Sequence, residues 1–170
     1  MRRLILCLGL VLVPAFAPGA VGVAPFSEIC RHADIVALVR VEGQASRKTW
    51  FVRVTQNIHG TLRTTKGTLD RFHFDPRPSG EFAVVSLPAD STLNLAIGFT
   101  YLVFLKQPPS GNEYPLVDGG YGSFFAVSGD HIEGLPSDAD DGRQMPGPIK
   151  KAIERIAKAL AEPAEGKNHP

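Results

Sequence analysis

The sequence predicts a mainly β fold: a small closed antiparallel barrel of five to six strands, with a short helix before it and an amphipathic helix after it. Three observations lead there. Between residues 35 and 132, short apolar runs recur at close spacing, separated by glycine and proline and with no helical periodicity between them. Two of those runs, Ile35–Val41 as far as Arg40 and Tyr101–Leu105, are apolar on both faces. A strand of that kind belongs in the middle of a sheet, where neither face is wet. Only after Pro148 do apolar residues (Ile149, Ala152, Ile153, Ile156, Leu160) fall at the spacing of a helix.

The first 24 residues read as a processing segment. Arg2-Arg3 precedes the apolar run LILCLGLVLV, and Pro14 and a string of small residues follow it. A positive end, a short apolar run and a small-residue exit describe a secretory signal peptide over residues 1–24. The run breaks at Pro14, short of the ~18 apolar residues a membrane span needs. The expectation is therefore export, periplasmic or extracellular, with no membrane span once the signal is removed. Without Arg2 and Arg3 the chain has 16 basic against 17 acidic residues, a net charge of −1. No basic stripe is present to displace counterions from a nucleic acid, which argues against that partner. Cys7 falls inside the signal, so Cys30 is the one cysteine left and no internal disulfide can form. At this position it reads as a small buried apolar residue on a short helix.

The barrel domain is expected over residues 25–136. Ser27 is the expected N-cap of a first helix reaching Ala33. Ile35–Val41 is the first strand, and Gly43–Arg47 its turn. In Thr49–Thr55, Trp50, Val52 and Val54 alternate with Thr49, Arg53 and Thr55, which makes Trp50 a core residue. Leu62–Gly67 reads as a polar connection. Thr68–Asp75 reads as a third strand with Phe72 and Phe74 inward, stopped by Pro76 and Pro78. Glu81–Leu87 gives a fourth strand. The stretch Gly98–Val127 supplies two more, with a short piece at His131-Ile132 to close the sheet. A linker over residues 137–147, a helix over 148–162 docked on the barrel and a disordered tail over 163–170 complete the chain. On the wet side of the last helix, Lys150, Glu154 and Lys158 stand at i, i+4 spacing.

The order ADIVALVRVEG, FVRVTQNIHG, YLVFL, GGYGSFFAV and then Gly-Asp-His-Ile resembles small secreted bacterial proteins built on an OB barrel of the netrin-module and metalloproteinase-inhibitor type. The resemblance covers roughly Ser27 to Leu135 and implies an OB-like barrel. It implies no inhibitory activity: such inhibitors reach a protease's zinc with a disulfide-bonded N-terminal cysteine, whereas Cys30 sits inside the first helix. Shared architecture is an analogy for function only.

The chemistry-bearing residues are sparse. The five histidines show no metal-ligand spacing. His73 with Asp75, at i, i+2, supplies two groups where a metal site needs three or four, and no metal or other cofactor is expected. Ser123 lacks the glycine two residues on that a nucleophile elbow requires. The chain is accordingly read as non-enzymatic. Two candidate binding surfaces remain. Gly120, Tyr121 and Gly122 let a backbone approach a ligand closely, or else form a bend that closes the barrel. Arg53, Arg71 and His73 offer a basic patch on the face where OB barrels bind, or else a solvated face. The expected function is a binding or protein-interaction module of the bacterial cell envelope, whose partner is an unknown envelope protein or small ligand. The alternatives are a metal-assisted enzyme using His73 and an adaptor docking through the final helix.

Overall fold

The computed structural model describes residues 25–68, 79–87, 94–117, 123–136 and 144–162. Among these are nine strands in one mainly antiparallel sheet and two helices. Helix α1 (Phe26–His32) leads into two long strands, β1 (Ile35–Ser46) and β2 (Thr49–His59), joined by a tight turn at Arg47-Lys48. Then come β3 (Thr65–Thr68), β4 (Ser79–Ser86), β5 (Thr100–Leu105), the short β6 (Glu113–Pro115), β7 (Phe124–Ser128), β8 (His131–Pro136) and β9 (Gln144–Pro148). Helix α2 (Ile149–Ala161) follows directly.

Pairing runs β3-β4-β2-β1-β5-β7-β8-β9, with β6 beside β4 in parallel. An isolated bridge joins Leu105, at the end of β5, to Leu116, just past β6. The path stays open, with β3 and β9 at its ends, and does not establish the closed barrel that the strand spacing predicts.

The doubly apolar runs sit where burial on both faces requires. β1 is paired on both sides, by β2 and β5, and β5 likewise by β1 and β7. Their alternate side chains feed two separate cores. Ile35, Ala37, Val39 and Val41 of β1 join Tyr101, Val103 and Leu105 of β5 in one cluster, with Trp50, Val52, Ala83, Val85, Leu95 and Tyr114. Val36 and Leu38, with Leu102 and Phe104, face the other way and meet Phe26, Ile29 and Cys30 of α1, Phe125, Ile132, and Ala152 and Ile156 of α2. Each such side chain removed from water contributes about 1.5–3 kcal/mol, so one sheet stabilises both layers.

The helices are bound to the sheet and to each other. The guanidinium of Arg155 on α2 lies 4.3 Å from the ring centroid of Phe26, and it donates to the Pro136 carbonyl at 2.7 Å. The Phe26 ring meets Phe104 edge to face at 5.8 Å. No helix among the described residues is long and apolar enough to cross a membrane.

Several boundaries differ from the sequence expectation. β1 and β2 run longer, because residues 56–59 pair with Val36–Leu38 and residues 43–46 with Thr49–Phe51; backbone pairing continues where side-chain alternation has faded. The expected connection over residues 62–67 contains the start of β3, which pairs with Ser79–Phe82. A four-residue edge strand is made by backbone bonds and leaves little hydrophobic signature. The rest of the expected third strand, 69–75, lies outside the described residues. Residues 144–147 of the expected linker belong to β9, whose prolines remove amide donors and hide it as a strand. The N-cap of α1 is Pro25 with no side-chain cap, and Ser27 instead lies inside the helix, accepting Arg31 Nε at its carbonyl (3.1 Å) and Arg31 Nη2 at its hydroxyl (3.2 Å). On α2 the i, i+4 ion pair is Lys158 with Glu162 at 3.8 Å, one step beyond the predicted ladder.

Candidate functional site

The helical layer covers only part of the outer face of β1. Along that face Val36 and Leu38 lie in the second core, and the next residue of the same parity, Arg40, is exposed. Beyond it comes Glu42. The face therefore changes from apolar to charged where the helices stop.

At this edge β1 and β2 place two arginines directly opposite one another: Arg40 pairs with Arg53, and on its other side with Thr100 of β5. Like charges at paired positions disfavour the sheet by roughly 0.2–1 kcal/mol. Glu42 offsets part of this, its Oε1 accepting Arg53 Nε at 2.9 Å in a half-buried ion pair. The Arg53 guanidinium also lies 5.1 Å from the ring centroid of Phe82 on β4, a cation–π contact worth about 0.5–1 kcal/mol.

Gly80 completes this seat. Its φ is +140°, and a Cβ built there would fall 2.7 Å from Arg53 Nη1. The backbone of β4 approaches the guanidinium closely, at a φ that favours glycine, and a side chain there would push the guanidinium aside. A bulge between Leu38 and Val39 interrupts the β1–β2 ladder nearby. The Leu38 carbonyl accepts the Thr55 hydroxyl at 2.9 Å, so the irregularity is satisfied. The result is one arginine held in place and a second, Arg40, with no ion-pair partner among the described residues. With Glu42 the group carries a formal charge of +1.

The two large apolar residues most exposed among the described residues, Ile97 and Phe99, stand on the turn entering β5. The Gly98 amide donates to the Val41 carbonyl at 2.7 Å, and the Val41 amide donates to the Phe99 carbonyl at 2.9 Å. This turn is thereby fastened to β1 one residue from Arg40.

Of the residues the sequence singled out, Arg53 is the one the structure places in this group. Arg71, His73, Gly120, Tyr121 and Gly122 lie outside the described residues. Arg40, Glu42, Gly80, Phe82 and Thr100 were not singled out, although the break of the β1 apolar run at Arg40 was a visible signal. Phe82 and Gly80 carried no such sign, because their role depends on β4 lying beside β2.

Other chemistry is accounted for by packing. Cys30 is buried in the second core. Ser123 is buried and its hydroxyl donates to the Val117 carbonyl, which occupies it structurally. Among the described residues no group of three or more His, Cys, Asp or Glu is placed to hold a metal ion. The apolar side of α2 (Ala152, Ile156, Ala159) is buried within the chain, so it is not a free docking face.

No family model matches this chain, and no curated protein matches it significantly.

Proposed function

We propose that the chain is an exported, non-enzymatic binding or protein-interaction module of the bacterial cell envelope, built on an OB-type barrel of β1, β2, β4, β6 and β5. Supporting the barrel reading are the parallel β4–β6 pairing, the Leu105–Leu116 bridge and the Lys106 amide donating to the Pro115 carbonyl at 2.9 Å. Together with the β1–β2, β2–β4 and β1–β5 ladders these contacts would link the five strands in a ring around the Trp50 core. Supporting the export reading are Arg2-Arg3, the apolar run and the small-residue exit before Pro25.

One observation carries the binding reading. Arg53 is held by Glu42, Phe82 and Gly80 on a face the helices leave uncovered, beside the exposed Arg40. A sheet that needed only to fold would lose nothing by carrying a neutral residue in place of the exposed Arg40. Local rules broken at a built position are the mark of a functional surface.

Crosslinking of the chain in an envelope fraction, with capture and mass spectrometry, tests this. The expected result is one recurrent partner, lost in a folded Arg53→Ala variant and retained in Lys158→Ala, an exposed position on α2. Tyr121→Ala is the companion variant for the glycine-rich turn. A partner set that does not change with any of these variants refutes the assigned surface, and the absence of any recurrent partner refutes the interaction reading.

A further inference from the structure

The start of α1 limits where the mature chain can begin. Phe26 is fully buried, edge to face with Phe104 at 5.8 Å and 4.3 Å from the Arg155 guanidinium. The Pro25 carbonyl accepts the amides of Glu28 at 2.9 Å and Ile29 at 3.2 Å, and so opens the helix. Residues from Pro25 onward therefore belong to the domain, and a processing cut has to fall at or before the Ala24–Pro25 bond. We infer that a membrane-bound signal peptidase hydrolyses the Gly22–Val23 bond, so that the mature chain begins Val23-Ala24-Pro25-Phe26; this rests on the export reading above. Two residues of the segment over 1–24 then stay with the domain.

Such peptidases take small residues at the first and third positions before the cut. Between Pro14 and Pro25 four windows meet that condition: Ala15 with Ala17, Ala17 with Gly19, Ala20 with Gly22, and Gly22 with Ala24. Pro18 follows the first directly and sits inside the second, and Pro25 follows the fourth. A substrate read as an extended strand is held by its main-chain amides and carbonyls. Proline has no amide hydrogen to donate and makes the bond before it a tertiary amide. Only Ala20-Val21-Gly22-Val23 is free of proline from three residues before the cut to one after it. The structure adds a second reason against the fourth window. A cut there would put a new ammonium one residue from Phe26, where Arg155 already brings a cation. With the cut at Gly22–Val23, two residues separate that charge from Pro25 by up to ~7 Å. In the reaction the Gly22–Val23 C–N bond breaks. The Gly22 carbonyl carbon takes the oxygen of water and leaves as a carboxylate, and the Val23 nitrogen takes both protons as the new α-ammonium.

The test is expression of the full 170-residue chain in a Gram-negative host, with fractionation, intact mass and N-terminal sequencing of what each fraction holds. A periplasmic species beginning Val23-Ala24-Pro25 is expected. Val23→Pro places proline after the one open window and should lower the processed fraction about 10-fold or more, the loss of one main-chain hydrogen bond, leaving precursor held at the membrane by its apolar run. Pro18→Ala, ahead of the first helix, opens both upstream windows and should add a longer species, beginning at position 18 or 20. The inference is overturned if the periplasmic chain begins at any other residue, if Val23→Pro is processed as the parent is, or if Pro18→Ala leaves a single end at Val23. Each of these outcomes leaves the export reading standing, as does a chain exported but held uncut at the membrane, which also overturns the cut. A chain that stays in the cytoplasm at its full mass overturns the export reading itself, and the cut with it.

Discussion

Truncating Ile156 to alanine tests whether α2 belongs to the core of the domain. Ile156 is fully buried, in a cluster with Phe26, Ile29, Val36, Phe104 and Ile132. The substitution deletes three carbons, and transfer alone removes about 2.4 kcal/mol at ~0.8 kcal/mol per carbon. The surrounding groups come from two helices and from strands paired on both sides, so they can close the cavity only in part. Adding the cavity term brings the expected loss to about 3–4 kcal/mol. With a urea m-value of about 2 kcal/mol/M, the unfolding midpoint should fall by about 1.5–2 M. Far-UV circular dichroism and Trp50 fluorescence, followed together, report helix and sheet separately. They should move in one transition, because Val36 and Leu38 in this cluster belong to the same strand as Val39 and Val41 around Trp50. Lys158→Ala, at a side chain 79% exposed, should change stability by less than about 0.5 kcal/mol. A loss below about 1 kcal/mol for Ile156→Ala, or a helix signal that melts well before the Trp50 signal, would refute the reasoning and return α2 to the role of a detachable element.

Four further outcomes follow from the same geometry. Cys30 has no exposed surface, so an aromatic disulfide reagent should modify it only through opening of the fold, and in Ile156→Ala the reaction should run about 100-fold faster or more, following the lost stability. Gly60 has φ +64°, and an added Cβ would lie 2.5 Å from the Asp34 carbonyl oxygen, whereas Gly98 has φ +86° with nothing within 4 Å. Gly98→Ala should therefore cost about 1–2 kcal/mol from the backbone alone and Gly60→Ala clearly more, as compared by urea unfolding. Arg155→Met keeps the aliphatic packing but removes the cation from Phe26 and the donor from Pro136; a loss of about 1–3 kcal/mol is expected. Gly80→Ala should shift the Arg53 Nε–H resonance strongly, since the new methyl displaces the guanidinium, while an unchanged resonance would show the seat to be unnecessary.

The legible part of the candidate site was Arg53, through its alternation against Trp50, Val52 and Val54. Arg40 was visible as the residue ending a doubly apolar run, yet a charge ending a strand is ordinary and says nothing about its neighbours. That Arg40 and Arg53 face each other is a matter of register, and register here is set by a long hairpin whose bulges shift the pairing at several places. Those bulges are not readable as alternation, because each one moves later residues to the other face.

By itself the sequence determined the elements that hydrophobic pattern controls. β1 and β5 are central because both their faces are apolar, Trp50 is core because its neighbours alternate around it, Cys30 is buried within a short apolar helix, and the spacing after Pro148 makes α2. All of these are local consequences of burying apolar surface, and local pattern is enough to specify them. Only the tertiary structure decided how strands distant in sequence meet: β1 beside β5, β4 beside both β2 and the parallel β6, and β9 formed from a proline-bearing stretch at the edge. Strand pairing is made by backbone amides and carbonyls that every residue shares, so partner choice depends on the whole chain's closure and packing. The seat of Arg53, assembled from Glu42, Gly80 and Phe82 on two other strands, exists only once that pairing has been chosen.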